Sequence, residues 1–107
     1  MLGLVIILMV VTGWRINVDK LALQTNNILR VEDHSDSFMN RVLVWFKNGE
    51  NLSIIRGEHS YGGKLGLFEI SPSVTQILPK DTSDTVLGWL TVEEVNEYIK
   101  KVGDYER

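Results

Sequence analysis

A turn in the middle of the chain constrains the fold more than any other sequence feature. Asn48-Gly49 lies between two apolar runs, RVLVWF at 41–46 and LSIIR at 52–56. Asn-Gly is the pair that most readily adopts the positive φ angles of a two-residue type I′ turn. Strand-forming residues on both sides of such a turn predict a β-hairpin.

The same turn predicts a register across the hairpin. With its two residues at the tip, Trp45 faces Leu52, which pairs two apolar side chains. Arg41 then faces Arg56, and like charges directly opposite each other destabilise a ladder unless something lies between them. A carboxylate such as Glu58, or a bound anion, would relieve the repulsion, whereas long arginine side chains can also splay into water. Arg41 and Arg56 are therefore candidate binding residues, with the splayed arrangement as the alternative.

A glycine-rich loop follows the hairpin. It has the sequence GEHSYGGKLG at 57–66, and an alternating strand pattern resumes at 67–70. Glycine lets a backbone approach a partner closely, and loops often carry function. His59, Tyr61 and Lys64 are therefore candidate binding residues. The alternative is an ordinary connection between strands that needs glycine dihedral angles, and the spacing matches neither a P-loop nor a dinucleotide fingerprint.

Two further strands are predicted on either side of this region. One covers 27–31, and the polar run EDHSDS at 32–37 is typical of the turn that follows a strand. The other covers 84–90, with the sequence DTVLGWL. The acidic and histidine side chains of 32–37 lack the ligand spacing of a known metal site, so no metal is predicted there.

A helix is predicted near the C-terminus. Thr91 and Glu94 form a Thr-x-x-Glu capping box, which places the helix start at Val92. Apolar residues recur at helical spacing through 92–102 and form one stripe, which is expected to pack on the sheet. The stripe consists of Val92, Val95, Ile99 and Val102. Gly103 is expected to end the helix in the left-handed conformation that favours glycine.

Together these elements predict the α+β class: a small antiparallel β-sheet with a C-terminal amphipathic helix packed on it. The chain has 107 residues, of which 44% are hydrophobic and 23% charged. This size and composition are typical of one globular domain. We therefore assign 1–107 to a single domain.

The first 14 residues are the most ambiguous segment. The run at 1–11 is almost wholly apolar but is soon followed by Arg15, whereas a membrane-spanning helix needs ~20 apolar residues. A secretory signal would need positive charge before the run and a small-residue cleavage site after it, and the sequence shows neither. The segment is therefore expected to be a buried strand or a buried helix, and its β-branched residues favour the strand. An interfacial membrane anchor formed by 2–14, and a signal or mis-assigned start, are the alternatives.

The composition excludes several function classes. The chain has no cysteine, which removes disulfides, thiolate nucleophiles and cysteine-ligated zinc and suits a reducing cytoplasm. Its net charge of −3, from 14 acidic and 11 basic residues, offers no basic stripe for nucleic acid. The sequence shows no nucleophile with a base and no metal-ligand spacing. We therefore expect a protein that is not an enzyme, without cofactor, metal or nucleic-acid partner.

The segment from Arg41 to the C-terminus resembles a group of small phage and prophage accessory proteins. The resemblance rests on the hairpin and on the runs SYGGKLGLFEI and DTVLGWLTVEEVNEYI. It implies a protein that binds and blocks a host enzyme or defence complex in the bacterial cytoplasm.

Three functions are therefore open. The first is a non-enzymatic protein-binding accessory protein, whose partner is another protein or a second copy of the chain. The second is a membrane-associated accessory protein anchored by the N-terminal apolar segment. The third is a small anion or nucleotide binder that uses Arg41, Arg56 and Lys64.

Overall fold

A computed structural model describes residues 21–23, 27–57, 60–80 and 84–106. Its strands pair antiparallel in one five-stranded sheet of order β1-β2-β3-β4-β5, so each strand lies beside its neighbour in sequence. The elements are β1 (Ile28–Asp33), β2 (Met39–Phe46), β3 (Asn51–Gly57), β4 (Phe68–Pro72), β5 (Leu87–Leu90) and α1 (Val92–Gly103). The predicted α+β class is confirmed.

The helix α1 forms as its sequence predicts. Thr91 Oγ1 accepts a hydrogen bond from the Glu94 amide at 3.2 Å, and the Glu94 carboxylate accepts from the Thr91 amide at 2.9 Å. This reciprocal pair satisfies two amides that the first turn leaves without a helical partner. The apolar stripe faces the sheet, where Val95, Ile99 and Val102 are buried in the core.

The hairpin between β2 and β3 forms, but the predicted register is wrong by one residue. Val44 lies opposite Leu52, and Val42 lies opposite Ile54. All four are essentially inaccessible to solvent. A shift of one residue would turn one strand's apolar set to the other face of the sheet. Burial of both sets on one face therefore decides the register.

The turn accommodates this register with three loop residues instead of two. The Gly49 amide donates to the Phe46 carbonyl at 3.0 Å, and the Phe46 amide donates to the Glu50 carbonyl at 2.9 Å. Gly49 has φ 90. This is a tight turn followed by a residue in the left-handed region, the second common way to close a hairpin.

The hairpin tip also holds the end of α1. The side-chain amide nitrogen of Asn48 donates to the carbonyls of Val102 at 2.8 Å, Tyr105 at 3.0 Å and Gly103 at 3.4 Å. Carbonyls in the last turn of a helix have no partner within the helix. One side chain in a turn therefore caps an element more than fifty residues away in sequence.

Gly103 has a different role from the one its position predicts. Among the described residues the glycines with positive φ are Gly49, Gly62 and Gly66, so the left-handed conformation expected at Gly103 is wrong. A Cβ atom at Gly103 would lie 2.9 Å from Cδ1 of the buried Phe46 ring. Glycine is required here because the helix backbone lies directly on that ring.

The N-terminal apolar segment 1–14 lies outside the described residues, so its assignment stays a prediction. Across the described ranges, no helix has both the length and the apolar character needed to cross a membrane.

The contact between Gly103 and Phe46 gives the first testable prediction. Replacing glycine by alanine inside a helix normally stabilises it by about 1 kcal/mol. Gly103→Ala should instead lower the free energy of unfolding by ~1–3 kcal/mol, because the new methyl overpacks a buried ring. Urea unfolding measures the change. Glu97→Ala, at an exposed position of α1, is the control and should stay within about 0.5 kcal/mol. A stabilised Gly103→Ala variant would contradict the contact.

Candidate functional site

One end of the sheet carries most of the exposed large apolar side chains. β2 begins, β3 ends, β4 begins and β5 ends there, and we call it the loop end because it carries the loops at 34–38 and 60–67. Of the described residues, five large apolar side chains are exposed, and four of them lie at the loop end. These four are Phe38, Tyr61, Leu65 and Trp89.

The loop at 60–67 lies close against neighbouring backbone. The Ser60 hydroxyl donates to the Gly57 carbonyl and accepts from the Gly57 amide, both at 2.9 Å, which closes the loop. A Cβ atom on Gly63 would collide with the Gly57 carbonyl, and one on Gly88 would collide with the Tyr61 Cβ. The glycines therefore let three backbone segments approach one another, which fixes where Tyr61 lies.

Trp89 has an unusual backbone conformation. Its φ is 63, and it is the one non-glycine residue with positive φ among the described residues. Phe68 pairs with Leu90 and Ile70 pairs with Leu87, so β5 has one more residue than β4 between the two pairs. This is a β-bulge, a device that redirects a side chain at a sheet edge. The Trp89 amide donates to the Tyr61 carbonyl at 3.2 Å, so the bulge is tied to the loop.

Trp89 and the loop form an apolar surface. Tyr61, Leu65 and Trp89 are 55%, 71% and 58% exposed, and we call these three residues the aromatic patch. They line a shallow groove of about 190 Å³ together with Ser60, Gly62 and Lys64. Pockets for small molecules are usually deeper and enclose ~300–1,000 Å³. The groove has the size to accept a side chain of a macromolecule rather than a whole cofactor.

The structure brings two of the predicted site residues together. Tyr61 and Lys64 line the same groove. His59 lies outside the described residues, so its role stays a prediction.

Arg41 and Arg56 do not form the predicted pair. Arg41 lies opposite Ile55, and Arg56 lies opposite Asn40. Because side chains alternate along a strand, this register places the two arginines on opposite faces of the sheet. The Arg56 guanidinium lies 5.0 Å from the centre of the buried Phe68 ring. The prediction of a basic pair fails because it depended on a register that core burial does not allow.

The outer face of β1 and β2 carries a polar cluster around Glu32. Its carboxylate accepts from Arg30 Nε at 2.7 Å and from Trp45 Nε1 at 3.3 Å, and it lies 3.0 Å from His34 Nε2. The Arg30 guanidinium also lies 4.8 Å from the centre of the Trp45 ring. Hydrogen bonds from His34, then Arg30, then Trp45 hold the pKa of Glu32 at about 2, below its ordinary value of 4.5.

These contacts give the acidic turn a structural role. Within the described ranges, no three histidine or acidic side chains cluster in a way that would hold a metal ion.

Sequence reasoning missed Leu65 and Trp89. The run VLGWL at 86–90 has the composition of a regular strand, and its glycine is the one sequence signal of a bulge. The positive φ of the next residue depends on the approach of the loop to Gly88, which pattern analysis does not detect.

Comparisons with protein-family models, with curated proteins and with solved structures found no match. The resemblance to phage accessory proteins stays a prediction.

The conformation of Trp89 gives a second prediction. Trp89→Asn and Trp89→Val both remove the indole, but asparagine tolerates positive φ and a β-branched residue does not. Trp89→Val should be less stable than Trp89→Asn by ~1 kcal/mol in urea unfolding. Strand propensity alone favours valine over asparagine. A valine variant at least as stable as the asparagine variant would contradict the positive φ.

The Glu32 cluster gives a third prediction, on pH dependence. Because the folded-state pKa of Glu32 is about 2 and its ordinary value is 4.5, the folded state binds fewer protons in this interval than the unfolded state. Its contribution is therefore complete above pH 4.5 and is lost as the pH falls towards 2. The stability advantage of the wild type over Glu32→Gln should shrink across this interval.

Unfolding titrations at a series of pH values measure this difference. Glu97→Gln, which removes one exposed carboxylate from α1, is the matched control for the loss of a negative charge. An advantage over Glu32→Gln that stays constant from pH 4.5 to 2 would show that the cluster does not lower the pKa of Glu32.

Proposed function

We propose that this chain is a non-enzymatic protein-binding accessory protein that contacts its partner through the aromatic patch. The observation that carries the proposal is Trp89, whose indole is displayed to solvent from a backbone conformation that tryptophan disfavours. A non-glycine residue in the left-handed region costs ~1–2 kcal/mol. Such strain concentrates at functional sites, where a surrounding structure holds it in place. Here the bulge and the 60–67 loop hold it.

The composition of the patch supports a protein partner. Tryptophan and tyrosine are enriched at the energetic centres of protein interfaces. Lys64 lies beside them in the groove and is exposed. A surface with an apolar centre and a neighbouring carboxylate would therefore complement the patch in both shape and charge.

The state of the polar groups in the groove argues against catalysis there. The Ser60 hydroxyl both donates to and accepts from the Gly57 backbone, so it is engaged in holding the loop rather than poised as a nucleophile. The Glu69 carboxylate is not one of the groove's lining residues; it accepts from the Tyr61 amide at 2.9 Å, so it too has a structural role.

Blocking a host enzyme or defence complex is the form of this function that the resemblance to phage accessory proteins implies. A shallow apolar patch on a small domain suits a protein that acts by covering a surface of its target. Self-association through the same patch is the version in which the partner is a second copy of the chain.

Site-specific photo-cross-linking tests the proposal. A photoreactive amino acid replaces Leu65 in the patch or, as the control, Lys47 at the hairpin tip on the opposite end of the sheet, which is also exposed. Both variants are expressed in bacterial cells, the host that the resemblance implies, and irradiated. The Leu65 probe should give one discrete covalent product, and the Lys47 probe should not.

Trp89→Ala in the Leu65 probe background should remove the product, provided that circular dichroism shows the variant to be folded. A product of twice the 12.2 kDa chain mass would identify a second copy as the partner. Identical products from both probes, or a product that persists in Trp89→Ala, would refute binding through the patch.

A further inference from the structure

Asn48 holds the end of α1 and also lies in a reactive Asn-Gly sequence. Its side-chain nitrogen donates to carbonyls at the end of α1, and its side-chain oxygen accepts from the Glu50 amide at 2.9 Å. It is followed by Gly49, which has no side chain to hinder attack by its own backbone nitrogen. We propose that Asn48 is a gated deamidation site: detachment of the end of α1 permits the reaction, and the product prevents reattachment. This inference does not depend on the proposed function.

The chemistry needs only water as a co-reactant. The backbone nitrogen of Gly49 loses its proton and attacks Asn48 Cγ, which forms a C–N bond. The Cγ–Nδ2 bond then breaks, and ammonia leaves with the proton, which closes a five-membered succinimide ring. Water adds to one of the two ring carbonyls and opens the ring to aspartate or isoaspartate. Overall, one side-chain amide and one water molecule are converted into one carboxylate and one ammonium ion.

The folded structure opposes the first step. The Gly49 amide donates to the Phe46 carbonyl at 3.0 Å, so the attacking nitrogen is engaged. Both polar atoms of the Asn48 carboxamide are held by hydrogen bonds, which prevents Cγ from rotating towards that nitrogen. The reaction therefore requires the carboxamide to leave the carbonyls of Val102 and Tyr105, which means that the end of the helix must open locally.

The product cannot restore the contact. A carboxylate only accepts hydrogen bonds, and it would face the carbonyl oxygens of Val102 and Tyr105, which also only accept. The C-terminal end of a helix carries a partial negative charge, so a new anion there is repelled. Isoaspartate would in addition lengthen the backbone of the tight turn by one methylene. Local opening, which is reversible in the intact protein, becomes permanent after deamidation.

Deamidation rates test the gate. The full chain and a free peptide of residues 44–52 are incubated under identical mildly alkaline conditions, and isoaspartate at position 48 is quantified by peptide mapping. The folded chain should react at least about tenfold more slowly than the peptide, because only the open fraction reacts. Asn51, which precedes Leu52 in both samples, is the internal control. Equal rates in chain and peptide would overturn protection by the fold.

Two destabilised variants distinguish local opening from global unfolding. Gly103→Ala loosens the end of α1, whereas Val95→Ala weakens the core near the start of α1. The deamidation rates are compared at a single temperature at which the two variants have equal unfolding free energies. Gly103→Ala should then deamidate several-fold faster than Val95→Ala. Equal rates would show that global unfolding, rather than release of the helix end, admits the reaction.

Hydrogen exchange tests the consequence of modification. Asn48→Asp reproduces the aspartate product, in which the backbone is unchanged. Asn48→Ala removes the contact without adding charge. Amides in the last turn of α1 should exchange fastest in Asn48→Asp, more slowly in Asn48→Ala and slowest in the wild type. Wild-type protection in Asn48→Asp would overturn the claim that deamidation releases the helix.

Discussion

The register of the β2–β3 hairpin is the constraint on which the rest of the structure depends. It places Val42, Val44, Leu52 and Ile54 on one face, where they share a core with the apolar stripe of α1. The other face carries the polar cluster around Glu32. A slip of one residue would expose Leu52 and Ile54 and bury polar side chains in their place. At ~1.5–3 kcal/mol for each large apolar side chain, such a slip would remove much of a small domain's stability.

The two ends of the sheet have different properties because different interactions dominate them. At the hairpin tip, the Asn48 carboxamide satisfies carbonyls of the last helical turn, and Gly103 lies directly on Phe46. Backbone polar groups there are paired with protein, and the packing leaves no space for a methyl group. At the loop end, glycines again allow backbone segments to approach closely, but the large side chains there stay exposed instead of being buried. This close approach fixes the loop against the β5 bulge, so that Tyr61 and Trp89 are held in place yet remain exposed.

This contrast explains why the loop end is the better candidate for recognition. A binding site needs side chains that are accessible before the partner arrives and ordered enough to lose little entropy when it binds. The aromatic patch meets both conditions, since its residues are exposed and two of the three lie on backbone tied by the Trp89–Tyr61 hydrogen bond. The arginines that sequence reasoning grouped as an anion site cannot act on one ligand as a pair, because they lie on opposite faces of the sheet.

The sequence by itself determined the features that depend on near neighbours in the chain. The capping box and the stripe of α1 involve residues three or four positions apart, and the existence of the hairpin follows from apolar runs around Asn48-Gly49. Only the tertiary structure decided the register, the role of Gly103 and the exposure of Trp89. Each depends on contact between segments distant in sequence: β2 with β3 through the shared core, α1 with Phe46, and the 60–67 loop with β5. Local pattern specifies which elements form, whereas burial and steric contact between those elements specify which face, angle and side chain each one presents.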